Sequence, residues 1–245
     1  MSIIAPMHNE ESNVENTFYE IKKVLNKTDI DWELIFVDDG STDETLKRAV
    51  ELEKLEPRLI VRGYAQNAGL GKALREGFKI ARGEYIITID FDLSYSAEQI
   101  LNIYKRLTQD EMIDVVLGSC YMRGGRVEGV DPWRLFVSWL GNIVLSIVFQ
   151  GHIRTITCIF RGYKREVIQG LGLRLDKKDI HLEILSKLLK HRRKIVEIPS
   201  VLTVRSKGKS KFEFLRTCKS HLRFIFFYLL RKYNIIEDED TFYNG

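Results

Sequence analysis

Cysteine is nearly absent: Cys120, Cys158 and Cys218 are scattered through 245 residues with no C-x-x-C pair. An odd, widely spaced set argues against a disulfide framework and against a cysteine zinc site, and it fits a reducing compartment. Proline is scarce at four residues, and the 17 glycines gather into no Gly/Ser tract. Nothing therefore reads as a long linker, and no fixed-period repeat divides the chain. The opening Met1-Ser2-Ile3-Ile4-Ala5-Pro6 has neither the basic start nor the length of a secretory signal, which points to the cytoplasm. The one long apolar stretch, residues 133–149, lies at the lower edge of the roughly 20 residues that a spanning helix needs. Ser138, Gly141, Asn142 and Ser146 interrupt it, so a half-buried or interfacial helix is expected there.

Charge of one sign is not in large excess, at +4, but the cations crowd late. Arg192, Arg193 and Lys194 are followed by Arg205, Lys207, Lys209, Lys211, Arg216, Lys219 and Arg223, which suggests phosphate or acidic lipid as a partner. Nucleic acid is disfavoured, because no aromatic residue interleaves the basic run 206–211 and no known nucleic-acid-binding pattern occurs.

With 44% hydrophobic residues the chain can bury one substantial core. In its first half, short apolar runs alternate with helical patterns, the appearance of a mostly parallel sheet flanked by helices. Strands are expected at 2–6, 32–37, 59–64, 84–89 and 115–118, and helices at 13–25, 42–55, 71–81 and 96–107. Ligands of open α/β sheets bind beyond the carboxyl ends of the strands, so Pro6 to Glu10, Asp38 to Ser41 and Asp90 to Asp92 should meet in one crevice.

Asp90-Phe91-Asp92 follows the buried run Tyr85 to Ile89. Two carboxylates so placed can face a hard divalent cation, Mg²⁺ or Mn²⁺, that bridges to a diphosphate. The alternative for an isolated D-x-D is a capped strand end with solvated acids. Asp38-Asp39-Gly40-Ser41 ends the second strand, where a carboxylate can accept from a base N–H or a ribose hydroxyl while Ser41, Thr42 or Asp43 caps the next helix.

These residues resemble family-2 glycosyltransferases with the GT-A fold. The resemblance rests on Pro6, Asn9 and Glu10, on Val37 to Ser41 with Asp43, on Asn67, Gly69, Gly71 and Ala73, on Gly83-Glu84-Tyr85, and on Asp90, Asp92 and Leu93. Further residues are similar to the polyprenyl-phosphate branch typified by dolichol-phosphate mannose synthases. They are Gly118 to Tyr121, Gly124-Gly125, Trp133-Arg134, Ser138, Asn142, Phe160-Arg161, Tyr163 to Val167, Val204-Arg205, Gly208 and Ser210-Lys211. The resemblance spans residues 2 to about 215.

That resemblance implies a base and ribose site at Pro6, His8, Glu10, Val37 and Asp39, and a sugar and metal site at Asp90, Phe91 and Asp92. It also implies Arg134, Arg205 and Lys207 against donor diphosphate or acceptor phosphate. Ser94 stands where these synthases usually carry Gln, and it is the third candidate at the metal. Cys120 replaces their usual Arg, and Thr155 to Ile159 replaces an Asp-Pro-x-Ser-Gly segment. Glu183 falls where relatives often have Glu on a helix, and His181 has no ligand spacing.

The expectation is a metal-dependent, inverting hexosyltransferase that moves mannose or another hexose from a GDP- or UDP-sugar to a polyprenyl (dolichyl) phosphate. It would be peripheral on the cytoplasmic face of a membrane. Its domains would be a catalytic unit at 1–211 and an amphipathic helix with an acidic tail at 212–245. Two alternatives stand beside it: transfer to a hydroxyl of a glycan or lipid-linked glycan, and an inactive nucleotide-sugar binding module.

Overall fold

Burial alternates along each central strand, so one sheet feeds two cores. Ile3, Ala5 and Met7 of β1 (Ser2–Met7) face one side and Ile4 the other. In β2 (Glu33–Asp38), Leu34 and Phe36 join the first core, Ile35 and Val37 the second. The first core is closed by α1 (Val14–Leu25), α2 (Thr45–Glu53) and α4 (Gln99–Thr108), whose apolar residues recur at helical spacing. The second is closed by α3 (Leu70–Ile80), α5 (Pro132–Val148), α6 (Arg165–Gln169) and α7 (Ile180–Lys190).

This computed structural model describes residues 1–149, 153–203, 223–226 and 228–229. Seven strands lie in the order β3-β2-β1-β4-β7-β5-β8, with β3 at Leu59–Gly63, β4 at Tyr85–Thr88, β5 at Val115–Ser119, β7 at Arg161–Lys164 and β8 at Ile195–Pro199. All neighbours are parallel except β7, which runs antiparallel between β4 and β5. A second, two-stranded parallel sheet pairs β6 (Arg126–Glu128) with β9 (Val201–Thr203). The α/β architecture expected from the sequence is therefore present, and the first five strands and four helices sit within a few residues of their expected positions.

Strands β6 to β9 are not among the expected elements. β7 reads Arg-Gly-Tyr-Lys, with no apolar run to mark it, and its burial depends on neighbours. The expected interfacial stretch is α5, and among the described residues no helix is long and apolar enough to cross a membrane. Most of 212–245 lies outside the described residues. Those within it, 223–226 and 228–229, are helical, and Phe224 and Tyr228 pack on Phe149 at ring distances of 6.4 and 4.7 Å.

Candidate active site

The parallel strands end on one edge of the sheet, and three loops meet there. The loop after β1 is stitched to the loop after β2. Asn9, at φ 54°, donates its N–H to Ser41 Oγ at 2.9 Å, and its side-chain oxygen accepts from Thr42 N at 2.8 Å. Glu10 N–H reaches Thr45 Oγ1 at 2.7 Å. Asp38 accepts from both the N–H and the hydroxyl of Ser41, so it shapes the turn. His8 is exposed, Pro6 and Glu10 are half-buried, and Glu10 Oε2 accepts from Asn13 Nδ2 at 2.6 Å.

Asp39 is only 6% exposed. Its Oδ1 accepts from Tyr64 Oη at 2.6 Å and from the N–H groups of Ala68 and Gly69 at 2.8 and 3.0 Å. Its Oδ2 accepts from Asn67 Nδ2 at 3.0 Å and shares the Gly69 N–H at 2.9 Å. Burial, and then the bond to Asp39, pushes the Tyr64 phenol far above its ordinary range, so it stays a donor. Gly40, at φ 65°, lies so close that a Cβ there would meet Asn67 N at 2.5 Å. The Asp39 carboxylate thus holds loop 64–69, and that loop leads straight into α3. The amides of Gly71 and Lys72 in the first turn of α3 donate to the Asp176 carbonyl at 2.7 and 3.1 Å. The segment carrying Asp176 is itself clamped by Glu183, 1% exposed, which accepts from Arg174 N, Leu175 N and Lys187 Nζ at 2.8–2.9 Å.

Beyond β4 the chain turns through Asp90-Phe91-Asp92, with Leu93 at φ 53°. Phe91 is buried and packs edge-on against Phe36 at 4.8 Å, which props the turn from below. Its ring serves the core, as does the side chain of Val37 in the opposite core. Asp92 Oδ1 accepts from the N–H and Oγ of Ser94 at 2.9 and 2.7 Å. The Ser94 carbonyl accepts from Thr203 N at 2.8 Å, so β9 is tied to this turn.

Asp90 and Ser94 open onto a cleft of about 710 Å³ whose far wall is α5, with Val137, Leu140, Val144 and Leu145. The cleft floor is segment 153–160, held by polar groups. Arg161, 1% exposed, donates from Nε to Cys158 O at 2.9 Å and from Nη2 to Ile156 O. Asn142 of α5 accepts from Ile156 N at 2.7 Å, and Glu197 of β8 accepts from Arg154 N and Thr155 N, both at 2.9 Å. Thr155 Oγ1 meets Ser119 Oγ at 2.7 Å. Cys120, where an Arg is usual in the resembled branch, is a buried thiol that burial pushes up to about 11, so it is neutral at physiological pH.

The donor set at the turn suits a hard cation: two carboxylates and a hydroxyl, all oxygen, with Ser94 Oγ donating its proton to Asp92 and keeping its lone pairs. Among the described residues no cluster of three or more His, Cys, Asp or Glu is arranged to hold a metal by itself. Ions of this type commonly complete their shell with water and phosphate oxygens. Arg205 and Lys207 lie outside the described residues, as does the side chain of Arg134.

Residues 2–172 match the family model described as glycosyl transferase family 2. The chain belongs to glycosyl transferase family 2. Within that family it is similar to a dolichol-phosphate mannosyltransferase of Pyrococcus furiosus, at 32% identity over 225 residues, covering 88% of this chain and 62% of the relative. It is also similar to an undecaprenyl-phosphate 4-deoxy-4-formamido-L-arabinose transferase of Proteus mirabilis, at 28% identity, covering 88% and 64%. The chain spans less than two thirds of either relative. Among solved structures, glucosyl-3-phosphoglycerate synthase of Mycobacterium tuberculosis, in complex with Mn²⁺, UDP and glucosyl-3-phosphoglycerate, superposes with a TM-score of 0.69. That likeness covers 97% of this chain and 81% of the synthase at 21% identity, and it establishes a shared fold.

The structure places Asp90, Asp92 and Ser94 on one turn after β4, with Ser94 bonded to Asp92 and Asp90 and Ser94 lining the cleft. Pattern reading does not single out Glu197, which carries no motif, nor the role of Arg161, whose only signal is an arginine placed directly after Phe160.

Proposed function

We propose that this family-2 chain is an inverting hexosyltransferase moving mannose or another hexose from a GDP- or UDP-sugar to a polyprenyl phosphate at a membrane surface. One observation carries the reading: the Asp90–Asp92 turn opens directly into a mostly apolar cleft walled by α5. An acidic turn suits the donor diphosphate through a cation, and an apolar cleft suits a lipid acceptor. The names of the Pyrococcus and Proteus relatives, both lipid-phosphate sugar transferases, support the same acceptor class.

The nucleotide is assigned to the stitched loops that carry Pro6, His8, Glu10 and Asp39, with Asp39 acting through the 64–69 loop it holds. Asp90 and Asp92 would hold Mg²⁺ or Mn²⁺, with Ser94 positioning Asp92, and Arg134, Arg205 and Lys207 are assigned to the phosphates. A divalent ion there supplies charge neutralisation for the leaving diphosphate. A lipid monophosphate is already an anionic nucleophile, so it needs placement rather than a general base. Direct attack is a single displacement and inverts the anomeric centre.

Peripheral membrane attachment is supported by the exposed apolar residues of α5, which adjoin the cleft-lining Leu140 and Val144 on the same face. Trp133, Phe136 and Ile147 are 69, 47 and 71% exposed, an apolar stripe on a helix too short to span a bilayer. The test of the donor site is thermal protection. UDP- or GDP-sugars with Mn²⁺ should raise the melting temperature of the wild type and leave Asp92→Asn nearly unmoved. Equal protection of both proteins would refute the assignment.

A further inference from the structure

The cleft has an acidic end at Asp90, an apolar wall at α5, neutral polar groups at Ser138, Asn142, Thr155 and Thr157, and a basic corner. That corner is the start of α7, where Lys178 and His181 line the cleft. Among the described residues of the lining, Lys178 is the one lysine or arginine. Lys178 is exposed on the rim, and its ammonium makes no hydrogen bond or ion pair with another described residue. Lys187, on the same helix, instead has its charge spent on Glu183 at 2.8 Å.

We infer that Lys178 is the anchor for the acceptor's phosphate group, an inference that rests on the polyprenyl-phosphate reading above. The chemistry follows from placement. A phosphomonoester whose chain lies along Val137, Leu140 and Val144 must put its dianionic head near the polar end of the cleft. An ammonium facing that space gives it a point charge that no internal carboxylate has already neutralised. The backbone beneath Lys178 is fixed as well. The Lys178 carbonyl accepts from His181 N at 3.3 Å, and Asp176, two residues earlier, is bonded to the first turn of α3. The anchor and the donor loop are thereby built on one connected support, which places the two phosphate-bearing substrates relative to each other.

The test is steady-state kinetics with a short-chain isoprenyl phosphate as acceptor and Mn²⁺ present, on the full chain, for the wild type, Lys178→Gln and Lys178→Arg. Loss of a charge-assisted contact corresponds to roughly ten- to a hundredfold. The expected result is an acceptor KM raised by about that factor in Lys178→Gln, an unchanged donor KM, and substantial rescue in Lys178→Arg. The substitution is on an exposed side chain, so both variants should unfold in urea at the wild-type midpoint. An unchanged acceptor KM in Lys178→Gln, or a rise in donor KM instead, would overturn the assignment of Lys178 while leaving the acceptor class standing. A wild type that transfers sugar to no isoprenyl phosphate would remove the acceptor reading and this assignment with it.

Discussion

Replacing Asp39 with Asn separates two roles a buried carboxylate can play at a nucleotide site. In the structure its oxygens accept from four donor groups, the Tyr64 hydroxyl, the Asn67 amide and the N–H groups of Ala68 and Gly69. An Asn side chain keeps one accepting oxygen and turns its NH₂ toward groups that are themselves donors. A hydrogen bond to a charged group contributes about 1.5–3 kcal/mol and a neutral one about 0.5–1.5 kcal/mol. Weakening two bonds and losing one or two more should therefore cost at least about 3.5 kcal/mol, less whatever water entering the loop restores. Urea unfolding followed by circular dichroism should register that loss, and titration calorimetry with UDP and GDP should show weaker binding in parallel. A variant with wild-type stability and weakened nucleotide binding would refute the reasoning. It would mean that the carboxylate meets the nucleotide directly and that the loop does not depend on it.

The buried Glu56 predicts acid sensitivity. Its hydrogen bond from Arg58 at 2.9 Å, with Lys22 at 2.8 Å, lowers its carboxyl from 4.5 to about 2. A lowered folded value contributes stability that is present above about pH 4.5 and lost as pH falls toward 2, amounting to at most about 3 kcal/mol. Glu56→Gln should be less stable than the wild type at pH 7 and should converge with it near pH 2 in urea titrations; parallel curves would contradict this. On the membrane side, replacing Trp133, Phe136 and Ile147 with Ser should weaken flotation with anionic liposomes at least tenfold without lowering the melting temperature. Undiminished flotation would show that the exposed face of α5 is not the contact.

The first half of the fold was legible because its strands are buried on both faces and its helices are amphipathic, so periodicity reports both. Boundaries drifted where side chains compete with backbone. The second helix begins at Thr45 rather than at 42, because Ser41, Thr42 and Asp43 bond across to Asn9 and Glu11. Strand β7 was hidden because its stability comes from neighbours. Its Arg161 is buried against the carbonyls of 156 and 158, and a Cβ on Gly162 would strike Ile103 at 2.3 Å, contacts that no local pattern reveals. At the site, the acids were visible as strand-end motifs. Which neighbours face the ligand was not: Phe91 and Val37 sit in motifs yet turn into the two cores. The support from Glu183 to the start of α3 joins residues about a hundred positions apart, a distance over which sequence spacing says nothing.

The most direct measurement is transfer itself. The purified chain would be incubated with Mn²⁺, radiolabelled GDP-mannose or UDP-hexoses, and either a polyprenyl phosphate or the corresponding polyprenol, and the organic phase counted. The account predicts label in the lipid phosphate with one of these donors, little in the polyprenol, and loss of at least a hundredfold in Asp92→Asn. Label appearing equally in the polyprenol, or undiminished in Asp92→Asn, would contradict it.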